Sequence, residues 1–270
     1  MVSSLSGLDV AVILVLSIQA TTIAYVKPAK WKALLLSLPI PFTCMTLVAG
    51  RAVDVTTVLG LDLFFLFMQA VRWLHQEKRM PIVPAIFIST AVYCAVGTGL
   101  AAVVPRTATS YWLATIGTFA VGLAAFRLLP YRPEPGHRST LPLWMKWPII
   151  AAIVLFLVGG RGYLQGFATV FPIMGTISCY EARHSLWTVA RQAALIALVM
   201  SVMVIVPYLT MPLVGMVPSL AAGWMLWAIL FLPISGRQWA RAEAGAARPG
   251  PTTDDGADAR TLAPRRGDQG

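Results

Sequence analysis

Two proline motifs in apolar parts of the chain carry the first chemical signal. Pro39 lies between Leu38 and Ile40, with Thr43 following. Pro172 lies between Phe171 and Ile173, 133 positions later, with Thr176 following. Proline lacks a backbone N–H and clashes with the preceding helical turn, so each motif predicts an interrupted helix. Paired interruptions in two halves of a membrane protein are typical of transport sites.

Interrupted helices leave carbonyl groups that, together with nearby hydroxyls, could bind a solute or cation at mid-membrane depth. The candidate substrate-binding residues are therefore Pro39, Thr43, Thr46, Pro172 and Thr176. The competing interpretation is an ordinary packing kink, because proline is not rare in membrane helices.

Asp62 is the only acidic residue well inside an apolar run of the chain. A carboxylate is costly to place in a membrane, so we expect Asp62 to face other helices and to have a partner. Proton coupling is the functional hypothesis for this residue, and a structural hydrogen bond is the alternative. Gln19, Gln69 and Gln165 are further polar residues within apolar runs.

Glu181 and His184 form a second titratable pair, with i, i+3 spacing that lets side chains meet on a continuous helix. With Arg183 between them, they could form a gate or a proton relay, which makes Glu181 a second proton-coupling candidate. In an interfacial enzyme the pair could instead act as catalytic acid and base. The plainer alternative is an interfacial ion pair that contributes little.

Composition places these residues in a membrane protein, because 57% of the chain is apolar and only 12% is charged. Globular chains average about 25% charged residues. The net charge of +10 comes from basic residues clustered between apolar runs, which indicates topology and not a nucleic-acid partner. The three isolated cysteines and the absence of phosphate-loop or metal-ligand motifs predict no metal and no cofactor.

Apolar runs long enough to cross a bilayer predict an all-α polytopic protein with about nine transmembrane helices, eight being possible. Pro207 and Pro212 are expected to mark the turn between the last two. The predicted spans are 8–26, 33–49, 55–73, 81–104, 109–127, 145–160, 163–181, 192–209 and 213–234.

With nine spans, 18 of the 21 Lys and Arg residues lie on one side of the membrane. The positive-inside rule then predicts a cytoplasmic (inner) membrane protein with its N-terminus outside and its C-terminus in the cytoplasm. Membrane lipid is an expected partner, and the oligomeric state stays open.

A shift of 133 residues superimposes the first four spans on the last four, so a 4+1+4 repeat with inverted orientation is predicted. The corresponding segments are 1–105 (first repeat), 106–140 (connector helix and cytoplasmic loop), 141–236 (second repeat) and 237–270 (disordered cytoplasmic tail).

Residues 163–208 resemble the GlpM-like inner-membrane protein family. The resemblance rests on Tyr163-Leu164, Gly166, Phe171-Pro172 and Val206-Pro207-Tyr208. It implies a small multi-helix membrane unit and supplies no substrate or catalytic residues.

These observations favour a transporter of a small molecule or ion that works by alternating access between inverted repeats. Transport could be coupled to protons. Its substrate would bind between predicted spans 2, 3, 7 and 8. The alternative is an integral membrane enzyme that acts on a lipid or isoprenoid at the cytoplasmic interface, with Glu181 and His184 as catalytic residues. A membrane scaffold without turnover is the third possibility.

Overall fold

The computed structural model describes residues 6–130, 134, 147–148, 155, 165–170 and 172–246. Within these residues the regular structure is all helical, as predicted, and contains no strand. Seven helical segments of the described residues are long and apolar enough to cross a membrane. This finding indicates an integral membrane protein.

Several of the described helices are short, among them the α-helices of nine or ten residues beside Pro39 and Pro172. The first part of the chain contains α1 (Gly7–Tyr25), α2 (Ala29–Ser37), α3 (Ile40–Ala49), α4 (Val55–Arg72), α5 (Ile82–Val103) and α6 (Ala108–Leu128). A π-helical turn, Trp73–Glu77, extends α4. The second part contains a 3₁₀ helix (Gln165–Val170), α7 (Ile173–Glu181), α8 (Leu186–Met203), α9 (Ile205–Val214) and α10 (Met216–Ala246).

The seven candidate spans correspond to predicted spans 1–5, 8 and 9. Predicted span 6 (145–160) falls almost wholly outside the described residues. Predicted span 7 (163–181) is represented by the 3₁₀ helix and α7, each too short to cross a bilayer alone. The count of nine and the inverted repeat therefore stay predictions. Helix α10 extends into the predicted tail, whose residues 247–270 lie outside the described part.

The turn expected at Pro207 and Pro212 is wrong, because both residues lie within α9. Pro207 occupies the first turn of α9, where a backbone N–H has no partner within the helix and its loss is tolerated. The chain turns instead at Gly215, whose φ of 84° is accessible to glycine and costly for other residues.

Helices α4 and α8 each contact several other helices and carry much of the buried core. Helix α6 packs closely on α8, since a Cβ at Gly122 would lie 2.7 Å from the backbone nitrogen of Leu198. Small residues permit such close approach of membrane helices. Helix α5 instead exposes large apolar side chains, among them Phe87 and Val92.

Candidate functional site

The first proline motif interrupts a membrane span, as the sequence predicts. Helix α2 ends at Ser37, and Pro39 (φ −75°, ψ 26°) precedes the first residue of α3. The missing N–H of Pro39 would have bonded the carbonyl of Leu35 in a continuous helix. That carbonyl instead accepts a 2.9 Å hydrogen bond from Nε2 of Gln19 on α1. A side chain of a neighbouring helix thus satisfies the interrupted backbone.

Two more side chains support this interruption. The Ser37 hydroxyl donates to the carbonyl of Ala33 (2.8 Å) and accepts from Nε2 of Gln192 on α8 (2.6 Å). The Thr43 hydroxyl donates to the carbonyl of Pro39 (2.9 Å) and accepts from Nε1 of Trp224 (2.8 Å). The interruption is therefore held by α1, α8 and α10.

The second proline motif has the same local form. Pro172 (φ −74°, ψ 44°) precedes the first residue of α7, after the 3₁₀ helix. The hydroxyl of Tyr93 on α5 donates to the carbonyl of Phe167 (3.0 Å), and the Thr176 hydroxyl donates to the carbonyl of Ile173 (2.7 Å). Phe171 itself lies outside the described residues.

The two interrupted segments run in opposite directions. Near the start of α2, Nζ of Lys32 donates to the backbone carbonyl of Glu181 at the end of α7 (3.1 Å). At the other end, Thr46 of α3 and Gly166 of the 3₁₀ helix line one small cavity of about 10 Å³. Helix α2 accordingly contacts α7, and α3 contacts the 3₁₀ helix.

A larger cavity of about 50 Å³ lies at the two interruptions, and we call it the broken-helix cavity. It is bounded by both interrupted segments and by α4 and α8, the four spans between which a substrate is predicted to bind. Its lining is mainly apolar, with the hydroxyl-bearing residues Ser37 and Thr169 among the exceptions. The volume admits a few water-sized groups.

Of the five predicted substrate-binding residues, only Pro39 lines the broken-helix cavity. The hydroxyls of Thr43 and Thr176 are engaged by the helix interruptions themselves. Thr46 is buried and lines the smaller cavity, where its Oγ1 has no hydrogen-bond partner among the described residues. Pro172 defines the start of α7 without lining the broken-helix cavity.

Asp62 lies in α4 and faces α6, where its Oδ2 accepts a 2.7 Å hydrogen bond from the buried Thr118 hydroxyl. Its Oδ1 is buried without a hydrogen-bond partner among the described residues. The expected interior partner is therefore present. Asp62 does not line the broken-helix cavity, although Leu61 beside it does.

Glu181 is the last residue of α7 and His184 lies in the turn that follows, so the two do not share a continuous helix and their pairing stays a prediction. Helix α7 ends at Glu181, and three turn residues follow. The Glu181 side chain is 3% exposed, whereas His184 is exposed.

Lys32 is 2% exposed, although in the sequence it stands only as one of the basic residues that indicate topology. A buried lysine near a membrane helix end is a functional or structural signal in its own right. Because Lys32 stands just before an apolar run, the sequence alone gives no sign of this role. Gln192 likewise has no distinguishing sequence signal, since single polar residues are common near the ends of membrane helices.

No family model, no curated protein and no solved structure matches this chain.

Proposed function

We propose that the chain transports a small solute or ion across the cytoplasmic membrane and binds it in the broken-helix cavity. One observation carries this proposal: two proline-interrupted segments run antiparallel and enclose a cavity at their interruptions. Interrupted helices at a central site are the recurring construction of secondary transporters. The resemblance to the GlpM-like family belongs to the same proposal, as a small membrane unit without an assigned substrate.

The cavity volume restricts the substrate class. At about 50 Å³, the broken-helix cavity is far smaller than the roughly 300–1,000 Å³ of drug-sized pockets. An ion or a solute of few non-hydrogen atoms fits, whereas an isoprenoid does not. This size favours a small solute or ion over a lipid as the occupant of the broken-helix cavity.

Alternating access requires contacts on each side of the cavity that can open in turn. The α2–α7 contact at Lys32 and Glu181 lies on one side, and the α3–3₁₀ contact at Thr46 and Gly166 lies on the other. Asp62 is the first proton-coupling candidate, because it lies on α4 directly beside Leu61, which lines the cavity. Its own carboxylate faces α6. Glu181 is the second.

Cysteine accessibility tests alternating access without a known substrate. In a background with Cys44→Ala, Cys94→Ala and Cys179→Ala, Ser37→Cys is exposed to a membrane-impermeant thiol reagent from either face of oriented vesicles. We expect modification from both faces. The matched control is Ser17→Cys, a buried serine of α1 outside the cavity, which should resist both. Modification of Ser37→Cys from one face only, or from neither, contradicts the proposal.

Proton coupling has its own test in proteoliposomes that contain a pH-sensitive dye. Solutes that raise the melting temperature of the purified protein are selected first and then used as transport probes. Asp62→Asn should abolish solute-driven proton movement while solute exchange persists. Unchanged proton movement in this variant would remove Asp62 from the mechanism.

A further inference from the structure

A second recess lies between α4 and α5, and we call it the α4–α5 groove. Its volume is about 500 Å³, ten times that of the broken-helix cavity, and no residue lines both. The walls are formed mainly by Leu63, Leu66, Phe67, Val92 and Val96. This volume is within the range of about 300–1,000 Å³ that binds small molecules.

The groove opens toward the lipid. Leu66 and Val92 are 56% and 55% exposed, so their side chains would meet acyl chains in a bilayer. An apolar, laterally open groove in a membrane-spanning protein selects an apolar chain and excludes a polar solute.

One end of the groove is basic. Arg72 lines it and is oriented by Oε1 of Gln69 (3.3 Å) and Oε1 of Glu77 (3.2 Å). Nζ of Lys78 lies 4.9 Å from the ring centroid of Trp73, which also lines the groove. Arg79 follows Lys78 in the sequence, so this part of the chain carries three cations and the single carboxylate of Glu77. The charge at this end is complementary to an anion.

Within the groove, Ser89 on α5 supplies a second polar signal. It is 3% exposed, it lines the groove, and its Oγ has no hydrogen-bond partner among the described residues. It lies seven residues after the start of α5, or about 10 Å along the helix. Leaving a buried hydroxyl without a partner is costly, so turning this hydroxyl toward an oxygen of a bound molecule would be favourable.

We propose that the α4–α5 groove binds one acyl chain of an anionic phospholipid, with the phosphate beside Arg72 and Lys78. Basic pockets between membrane helices on the cytoplasmic side recognise anionic headgroups. The positive-inside rule places this end of α4 on that side. The site is independent of the proposed transport function, because it shares no residue with the broken-helix cavity.

Native mass spectrometry tests the site with the full chain in detergent. Phosphatidylglycerol and phosphatidylcholine with identical acyl chains are the two probes. We expect one phosphatidylglycerol to be retained preferentially. Val92→Trp should fill the groove and abolish that preference. Val83→Trp is the matched control, since Val83 is on the same helix, 59% exposed and outside the groove.

A surface variant keeps the test decisive if Val92→Trp does not fold. Lys78→Gln should weaken phosphatidylglycerol binding about fivefold and leave phosphatidylcholine binding unchanged, because one basic residue near a headgroup contributes about that factor. Equal retention of the two lipids by the wild-type protein would overturn the proposal. So would undiminished phosphatidylglycerol binding in both Val92→Trp and Lys78→Gln, or a groove closed by a second copy of the chain.

Discussion

At the scale of single residues, the interruptions depend on polar side chains that replace missing helical hydrogen bonds. Gln19, 5% exposed, donates to the carbonyl that Pro39 leaves without a partner. Lys32 and Glu181, both nearly inaccessible, join the ends of the two segments. In lipid an unsatisfied backbone group costs several kcal/mol, so these side chains are part of the fold's stability.

Gln19→Leu should lower the free energy of unfolding by about 1–3 kcal/mol, since it leaves the Leu35 carbonyl buried and unpaired. Titration of mixed micelles with dodecyl sulfate measures this loss. Pro39→Ala restores an N–H that can bond Leu35, so Gln19→Leu should cost less in that background. An equal cost in both backgrounds would show that Gln19 does not compensate for the proline.

Lys32→Met should lower the free energy of unfolding by about 1.5–3 kcal/mol, because a charged donor to the buried Glu181 carbonyl is lost. Methionine retains much of the apolar length of the lysine side chain. Lys27→Met, at an exposed position before α2, should change little. The same micelle titration compares the two variants, and equal effects would contradict a special role for Lys32.

At the scale of elements, the helices around the interrupted segments are held by close backbone contacts and by polar anchors. Gly122 brings α6 against the backbone of α8. The carboxylate of Glu134 accepts from the backbone nitrogens of Trp187 (3.2 Å) and Thr188 (2.6 Å) in the first turn of α8. A negative group is favourable at a helix N-terminus. These contacts keep α8 in position against the broken-helix cavity.

Gly122→Ala should destabilise the protein by about 1–3 kcal/mol, because the Cβ of the alanine would clash with the backbone of Leu198. A backbone cannot move aside as easily as a side chain. Gly117→Ala is the control on the same helix. A Cβ at Gly117 meets nothing within 4 Å, and alanine favours helix there. Thermal unfolding in detergent should separate the two variants, and similar melting temperatures would refute tight α6–α8 packing.

At the scale of the whole molecule, the basic residues at the ends of the first interrupted segment predict its orientation in the membrane. Lys27 precedes the first segment and Arg51 follows it, so they lie at opposite ends of one span. The positive-inside rule predicts that Lys27 is in the cytoplasm and Arg51 is outside.

In a cysteine-free background, Arg51→Cys should react with an impermeant maleimide in intact cells, whereas Lys27→Cys should react only after permeabilisation. Both positions are exposed, so accessibility to the reagent depends on the side of the membrane. Gel-shift labelling measures the outcome. Reaction of Lys27→Cys in intact cells, with Arg51→Cys protected, would reverse the proposed orientation.

Much of the architecture is encoded locally and is readable from the sequence. Hydrophobic length determines where a chain can cross a bilayer, so predicted spans such as 8–26 and 55–73 agree closely with α1 and the α4 segment. Proline acts on its own turn, so the interruptions at Pro39 and Pro172 were also readable. An acidic residue in an apolar run requires a polar partner, so the sequence also predicts the hydrogen-bonded environment of Asp62.

Only the tertiary structure decided which groups meet. Lys32 and Glu181 are 149 positions apart, and Ser37 and Gln192 are 155 apart, so no local pattern announces either pair. The end of α7 at Glu181 was also not predictable from the i, i+3 spacing of Glu181 and His184. The broken-helix cavity and the α4–α5 groove likewise exist only between packed helices. Hydrophobicity and proline chemistry act within a turn or a span, whereas cavities and buried polar contacts depend on how the spans pack.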